Sequence, residues 1–293
     1  MSKKRSILHA FFLLVIIAIL LSIASSLVLQ RWVPSISLTN KIGVIPIEGV
    51  ISSSFDITSQ IEKFREDDSI KAIILRINSP GGSVAPTQEI YREIRKTIRE
   101  KKVVASIGGV GASGGYYIAA AANKIVASPA TVTGSIGVIM NYMQIKGLLK
   151  KLGIKLGSLK SGEFKDLGAP YRDMTDKEKR LVTDILMEIK EQFVKAVAEG
   201  RHLPIKEVEK IADGRIILGS QAKRLGLVDK MGNFQDAVEL AKELANIEGK
   251  VKLVYPRYHS ASLIARLLDN AVQRLIFRAS FPMIEYRLVN PIR

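Results

Sequence analysis

The sequence contains no cysteine and only three histidines among its 293 residues. The absence of cysteine excludes disulfide bonds, iron–sulfur clusters and a cysteine nucleophile. The histidines lie far apart in the chain, at His9, His202 and His259. A metal site needs several ligands close together, so a multi-histidine metal site is not expected.

Charged residues are missing from residues 6–30, which follow a basic cluster at residues 3–5. As a helix this segment would be roughly 37 Å long, enough for the ~30 Å hydrocarbon core of a bilayer. The basic cluster favours a cytoplasmic N-terminus, with the rest of the chain on the extracytoplasmic side of the cell membrane. A signal peptide cleaved near residues 22–24 is the alternative. The apolar run continues through residues 27–29, which favours a retained single-pass anchor over residues 1–31.

Acidic residues are missing between Glu100 and Glu163, and the whole chain has a formal net charge of +16. Basic residues in this stretch are not interleaved with the aromatic side chains that stack nucleic-acid bases, so nucleic acid is not an expected partner. Two interpretations stay open. The lysines form a solvated basic face, or they form a surface that faces anionic lipid headgroups.

Strand-like and helix-like segments alternate after a short tether at residues 32–40. This alternation predicts an α/β domain over residues 41–255, with mainly parallel strands. The predicted strands are 41–48, 72–78, 103–107, 124–127, 132–140 and 251–255, and the predicted helices are 85–100, 114–122, 143–152, 175–200, 205–212, 220–225 and 234–247. Residues 256–293 form a basic tail whose apolar residues have helical spacing over 261–280. A docked helix, a second membrane contact and a self-inhibitory tail all fit this pattern.

Two glycine-rich turns follow predicted strands and precede predicted helices, at residues 78–83 and 111–117. Paired glycines let the backbone approach a ligand closely and direct N–H groups at it. Ser113 lies at the start of a predicted helix, where the Gly114 amide and the positive end of the helix would face a developing oxyanion. Ser113 is therefore a candidate nucleophile, and an ordinary helix N-cap is the alternative interpretation.

A serine nucleophile needs a base. Residues 111–115 fit the G-x-S-x-G pattern of α/β-hydrolases, which pair the serine with a histidine. Neither His202 nor His259 has the sequence setting of a base oriented by a buried carboxylate. Lys165 is the other candidate, because a lysine accepts a proton once burial or neighbouring cations depress its pKa. The adjacent Glu163 and Asp166 would raise that pKa if they faced the ammonium.

Four motifs, in order along the chain, resemble the signal peptide peptidase A (SppA) family, serine protease family S49. They are Asn78-Ser79-Pro80-Gly81-Gly82, Ala112-Ser113-Gly114-Gly115-Tyr116-Tyr117-Ile118-Ala119, Thr133-Gly134-Ser135-Ile136-Gly137-Val138 and Ser161-Gly162-x-x-Lys165-Asp166. The resemblance covers about residues 42–245. It implies an α/β Clp-protease/crotonase-like fold and, because the chain has one copy of the domain, the short form of the family.

The resemblance also implies the roles of the site residues. Ser113 would be the nucleophile and Lys165 the general base of a Ser-Lys dyad. Gly82 and Gly114 would supply the oxyanion-hole amides, and the Ser135 hydroxyl would orient the lysine ammonium. Short members of the family form ring-like homo-oligomers in which the serine and the lysine come from adjacent subunits. No metal, nucleotide or other cofactor is implied.

The function implied by the resemblance is a membrane-anchored serine endopeptidase that degrades cleaved signal peptides or other hydrophobic peptides. Extended substrate would pair with strand edges near Ser83 and residues 131–133. Three alternatives stay open. They are a protease that trims hydrophobic tails of membrane proteins such as stomatin-type partners, an acyl-CoA-processing enzyme on the crotonase fold, and a non-catalytic membrane scaffold.

Overall fold

The structure is a computed structural model that describes residues 15–22, 40–256 and 283–287. Residues 15–22 are helical with exposed side chains, and they belong to a separate unit, residues 1–39. Among the described residues, no helix is long and apolar enough to cross a membrane. Most of the predicted anchor, and the predicted tail helix over 261–280, lie outside the described residues.

The second unit, residues 40–293, is built on an eight-stranded sheet. The strands are β1 (Lys41–Glu48), β2 (Ile70–Ser79), β4 (Lys102–Ala112), β5 (Lys124–Ala127), β6 (Val132–Gly134), β8 (Ile216–Leu218), β9 (Lys230–Met231) and β10 (Lys252–Val254). Six strands lie in the order β10-β1-β2-β4-β5-β9 and are parallel, while β6 pairs with β4 in parallel and β8 pairs with β6 antiparallel.

A smaller antiparallel sheet has the order β3-β11-β7. Its strands are β3 (Gly81–Ser83), β7 (Ile139–Asn141) and β11 (Met283–Arg287). The strand from the C-terminal end of the chain is therefore the central strand of this sheet, between two strands that precede it by more than a hundred residues.

Eight helices of the described second unit surround the sheets. They are α1 (Phe55–Glu66), α2 (Val84–Thr97), α3 (Gly114–Ala120), α4 (Lys146–Lys151), α5 (Asp176–Arg201), α6 (Ile205–Glu209), α7 (Gly219–Arg224) and α8 (Phe234–Leu244). Strands alternate with helices in sequence, so the expected α/β class is confirmed.

Both faces of the parallel sheet are buried beneath helices. Side chains along each strand point alternately to the two faces. On β1, Ile45 and Ile47 belong to the larger core cluster, which includes side chains of α1, α2, α3 and α5. Ile42 and Val44 of the same strand belong to a second cluster beneath α8. Burial on both faces explains why the central strands are continuous apolar runs in the sequence.

Several boundaries differ from the sequence prediction. The predicted strand 132–140 is two strands, β6 and β7, because the backbone turns at Ser135 with φ 51°. Helix α5 continues past Gly200 and ends at His202, which has left-handed backbone angles. A methyl group on Gly200 would lie 2.0 Å from the Ala120 carbonyl oxygen, so this glycine permits close packing rather than ending the helix. Helix α1 and strand β11 were not predicted.

Candidate active site

Ser113 lies between the end of β4 and the first residue of α3. Its backbone has φ 52° and ψ −118°, which is a strained conformation for a residue with a side chain. Its N–H donates to the Gly134 carbonyl at 2.8 Å, and its carbonyl accepts from the Tyr117 N–H at 2.8 Å. Ser113 occupies the N-cap position of α3, but its side chain makes no capping hydrogen bond to the helix. The strained turn instead presents the hydroxyl at the end of the sheet.

Gly82 and Gly114 lie on the two backbone segments beside Ser113. On β3 the Gly81 N–H donates to Ser79 Oγ and the Ser83 N–H donates to the Ile51 carbonyl. Successive amides of a strand point to opposite sides, so the Gly82 N–H points the other way, towards β11. A methyl group on Gly82 would lie 2.0 Å from the Ile51 carbonyl oxygen, so only glycine fits there.

Gly114 brings the start of α3 against β3. A methyl group on Gly81 would lie 2.6 Å from the Gly114 nitrogen, and one on Gly114 would lie 3.1 Å from the Gly81 Cα. The Gly114 amide is also at the positive end of α3. Two candidate oxyanion donors and the candidate nucleophile are thus brought together by three short segments.

Ser135 follows the last residue of β6, next to the segment that holds Ser113. Its N–H donates to the Arg215 carbonyl at 2.8 Å, which fixes the turn after Gly134. Its side chain is buried and lines a cavity of about 380 Å³. Charged side chains of Lys190, Asp213 and Arg287 line the same cavity. The structure therefore brings Ser135 to the same side of the sheet as Ser113.

No hydrogen bond among the described residues joins Lys165 to Ser113. It lies on an exposed turn, where its N–H donates to the Gly162 carbonyl at 3.2 Å. Its ammonium forms no hydrogen bond or ion pair with any residue that the structure describes. Among the described residues of one copy of the chain, Lys165 is thus a cation without a partner on a surface segment.

The acidic neighbours of Lys165 are bound to other cations. Arg172 binds Asp166 with two hydrogen bonds of 2.9 and 2.7 Å, and Lys160 adds a third of 2.6 Å. These bonds hold the pKa of Asp166 well below its usual range. Glu163 pairs with Lys177 at 3.1 Å. The two carboxylates nearest to Lys165 in the sequence are therefore each paired with another cation.

Arg172 was not predicted from the sequence, although it organises this turn. It also binds Glu178, which lies in the first turn of α5, and this lowers the pKa of Glu178 to about 2. Glu178 in turn accepts a hydrogen bond from the Thr175 N–H, while Thr175 Oγ1 accepts one from Glu178. The spacing Thr175-x-x-Glu178 is a capping-box signature. It marks the helix start, but it gives no sign of the contact with Arg172.

The other candidates do not join the site. His202 ends α5, and its side chain has no hydrogen bond with the described residues. His259 lies outside the described residues. No group of three or more His, Asp or Glu side chains within the described part of the chain could hold a metal ion.

Comparison with known proteins connects this arrangement with a protease family. The family model of peptidase family S49 matches residues 95–248, and that of Clp protease matches residues 31–133. A Synechocystis protein to which a protease function is attributed is 39% identical over 76% of this chain and 81% of its own length. The chain belongs to peptidase family S49. The resemblance to the signal peptide peptidase A family is confirmed, and so is the Clp-protease-like α/β fold.

Two further relatives are matched over smaller shares of their own length. A Methanocaldococcus jannaschii protein, also attributed a protease function, is 43% identical over 64% of this chain and 60% of its own length. The chloroplastic serine protease SPPA of Arabidopsis thaliana is 37% identical over 70% of this chain and 31% of its own length. This S49 chain therefore spans well under two thirds of some of its relatives. The family match and the similarity to a named serine protease identify this chain as a serine peptidase.

Proposed function

We propose that this protein is a membrane-anchored serine endopeptidase that degrades cleaved signal peptides or other hydrophobic peptides derived from the membrane. The observation that carries the proposal is the position of Ser113. Support comes from its strained turn, and from the close approach of the adjacent Gly114 amide to Gly81, on the strand that also carries Gly82.

The chemistry is acyl transfer to water. Ser113 Oγ attacks a peptide carbonyl carbon, and a neutral lysine takes the hydroxyl proton. The Gly82 and Gly114 amides donate to the oxyanion, each contributing about 3 kcal/mol. The lysine then passes its proton to the leaving amine, and water hydrolyses the acyl-enzyme ester in the same way. Ser135, beside the cavity near Ser113, orients the ammonium.

The base is Lys165 of a neighbouring copy of the chain. In one copy the Lys165 ammonium has no bond with the described residues, so nothing there directs it to a serine of the same copy. The segment that carries it also exposes many large apolar side chains. They are Tyr142, Met143, Leu148, Leu152, Ile154, Leu156, Leu159 and Phe164. Large apolar side chains exposed together along one segment are typical of a protein interface.

A head-to-tail interface of this kind closes into a ring when the rotation permits. Each copy would then donate a lysine to one neighbour and receive one from the other. Burial of the lysine against the neighbour would remove water from its ammonium, and desolvation lowers the pKa of a lysine.

The membrane anchor and the extracytoplasmic position of the domain are part of the proposal. They are supported by the uncharged run at residues 6–30 and the basic cluster that precedes it. The described part of that run, residues 15–22, is helical. An anchor would hold the domain where hydrophobic peptides leave the bilayer.

The test uses the full chain in detergent with a fluorogenic hydrophobic peptide at several pH values. Ser113→Ala and Lys165→Ala should each lower kcat by about 10³-fold or more. Lys155→Ala, a change in the same exposed segment, should retain activity. Activity of the wild type should rise with pH, because only the neutral lysine accepts a proton. Equal activity of all four proteins would overturn the proposed function.

Co-expression of the two inactive chains tests whether the base comes from a neighbour. Random mixing of Ser113→Ala and Lys165→Ala chains in a ring should restore about a quarter of the wild-type sites. A site is active only where a chain with an intact serine stands next to a chain that supplies an intact lysine, and each condition is met in about half of the cases. No recovery in assembled mixed rings would contradict a shared site.

A further inference from the structure

A cavity of about 300 Å³ opens where the parallel sheet is interrupted beside β4. Strand β5 pairs with residues 104–106 of β4, and strand β6 pairs with residues 110–112. None of the strands that the structure describes pairs with residues 107–109 on that edge. The Thr131 hydroxyl crosses the gap and donates to the Gly108 carbonyl at 2.8 Å. The cavity is therefore a consequence of the way the sheet is built, at the end where its parallel strands finish.

Arg76 supplies the charge in the lining of this cavity. It lies on β2 opposite Ser106 and is partly buried. Its Nη1 group donates to Ser106 Oγ at 2.9 Å, and its Cζ lies 5.5 Å from the centroid of the Phe234 ring. These two contacts fix the plane of the guanidinium and leave its Nε and Nη2 groups unused.

No carboxylate in the described part of the chain forms an ion pair with Arg76, and neither Nε nor Nη2 has a hydrogen-bond acceptor there. In a guanidinium these two N–H groups point in the same direction. They form a fork that matches the two oxygens of a carboxylate through parallel hydrogen bonds. The cavity thus contains an oriented carboxylate-binding group that the folded chain does not use.

The acidic side chains nearest in the fold do not fill this role. Asp236 accepts a hydrogen bond from the Asn233 N–H at 2.8 Å, and Glu48 is exposed on β1. The start of α8 is also capped from within, because Asn233 Oδ1 accepts from the amides of Gln235 and Asp236. The guanidinium of Arg76, and not the helix end, is therefore the anion-binding group of the cavity.

The rest of the lining is largely apolar and includes Phe234, Ala130 and the backbone of Gly108 and Gly109. A methyl group on Gly108 would lie 3.4 Å from Arg76 Nη2, so the glycine leaves that group uncovered. Ala130 is exposed, so the cavity reaches the surface. Its volume is at the small end of the range for ligand pockets. Apolar walls with one carboxylate fork suit a short apolar group that ends in a carboxylate.

We propose that this cavity is a binding site for the free carboxylate of an apolar ligand, with Arg76 as the partner of the carboxylate. The same chemistry is found at the C-terminus of a hydrophobic peptide and in a fatty acid. Gly109 lies four residues before Ser113, roughly 13 Å along an extended chain. The site is therefore close to the candidate nucleophile and separate from it.

Hydrolysis of a peptide bond creates a new C-terminal carboxylate. The site would for this reason hold cleaved hydrophobic peptides in preference to uncut chains. That consequence rests on the proposed function, whereas the binding of a carboxylate by Arg76 does not.

The first test is calorimetric titration of the full-length Ser113→Ala protein in detergent. The probes are N-acetyl-leucyl-leucine with a free carboxylate and the same dipeptide as its amide. The acid should bind about tenfold or more tightly than the amide, and Arg76→Gln should remove the difference. Arg99→Gln is the matched control, because Arg99 is an exposed arginine away from the cavity. Equal affinities for acid and amide before the Arg76 change, or the same loss in Arg99→Gln, would overturn the proposal.

A second pair of variants tests the cavity and keeps the guanidinium. Ala130→Trp places a large side chain in the lining from an exposed position, so folding should not be affected. It should weaken binding of the acid by about tenfold or more, whereas Ala130→Ser, which adds one oxygen, should not. Wild-type affinity in Ala130→Trp would place the ligand outside the cavity and overturn the assignment.

Hexanoate and hexanamide distinguish the two sources of the carboxylate. Arg76-dependent binding of hexanoate as tight as that of the dipeptide acid supports the site and includes fatty acids among its ligands. Binding of hexanoate about tenfold weaker supports the site as one for peptide C-termini, because the peptide groups then contribute. No Arg76-dependent binding of either acid would overturn the proposal.

Hydrolysis measured on chains that retain Ser113 separates this inference from the proposed function. If Arg76-dependent binding is found without Ser113-dependent hydrolysis, the proposed function fails and the carboxylate site stands. If hydrolysis is found without Arg76-dependent binding, the carboxylate site fails and the proposed function stands.

Discussion

Ser113 and Ser135 occupy matching positions at the ends of two paired strands. Ala112 of β4 is opposite Gly134 of β6, and each serine is the residue that directly follows its strand. Both have positive φ, 52° and 51°, and the Ser113 N–H donates to the Gly134 carbonyl. The two strands thus turn away from the sheet together, and both hydroxyl-bearing residues come to the same end of it.

The positive φ of Ser113 predicts that the residue needed for activity destabilises the folded protein. A residue with a Cβ is strained there, and glycine is not. Ser113→Gly should therefore be more stable than Ser113→Ala by about 1 kcal/mol, while both lack hydrolysis. Urea unfolding of both full-length variants in detergent measures the difference. An alanine variant as stable as the glycine variant would show that the turn is not strained.

Gly82 predicts a large effect from one methyl group. In Gly82→Ala the added carbon would meet the Ile51 carbonyl oxygen at 2.0 Å, so β3 must move and its amide would leave the proposed oxyanion position. We expect kcat to fall by about 10²–10³-fold. Gly109→Ala is the control, because its added carbon would have only an ordinary contact of 3.6 Å with Asn78. A Gly82→Ala protein with wild-type kcat would exclude Gly82 from the oxyanion hole.

Leu159 tests the interface proposed for the exposed apolar segment. It is fully exposed in a single copy of the chain. In Leu159→Glu a charge would be buried at the interface, so the assembly should dissociate and activity should fall with it. Native mass spectrometry or light scattering in detergent reports the oligomeric state. Leu225→Glu, at another exposed leucine, should leave assembly intact. Dissociation in both variants would show a general loss of folding instead.

The bonds of Arg172 predict that the Lys165 turn loosens in acid. The pKa values of Asp166 and Glu178 are lowered in the folded protein, that of Glu178 to about 2. Their stabilisation is complete above the ordinary carboxyl pKa of about 4 and is lost as the pH falls towards the folded values. Hydrogen exchange of peptides covering residues 160–172 should therefore speed up below about pH 4.

Arg172→Gln provides the comparison for that measurement. Without the guanidinium the turn should already exchange quickly at pH 7, and the acid-dependent change should shrink. Activity should fall with a larger effect on kcat than on KM, because the variant displaces a base and leaves the peptide cleft intact. Unchanged exchange at pH 7 would show that Arg172 does not hold the Lys165 turn.

The proposed membrane topology predicts opposite accessibility at two introduced cysteines. Because the natural chain has none, Ser2→Cys and Tyr255→Cys each create a single thiol. In intact cells an impermeant maleimide should label the thiol at 255 and not the one at 2, as expected for a cytoplasmic N-terminus. Labelling at position 2 and not at 255 would reverse the orientation.

Local patterns of the chain were sufficient to predict the α/β class, the parallel sheet and the candidate nucleophile. Alternating strands and helices, continuous apolar runs and paired glycines are short-range features, and each reflects backbone or burial physics within a few residues. The motifs that resemble the S49 family are short in the same way. For these reasons β1 and β5 have the predicted bounds, Lys41–Glu48 and Lys124–Ala127.

The tertiary structure alone decided the contacts between distant parts of the chain. Even the bond of Arg172 to Asp166, only six residues apart, depends on how the chain before α5 folds back on itself, which helix periodicity does not encode. The stacking of Tyr286 on Tyr117 joins residues far apart in sequence, and β11 is too short for its pairing partners to be read from its pattern. Register and side-chain pairing across such separations depend on the packed sheet as a whole, because closing long loops costs entropy that only the complete set of contacts repays.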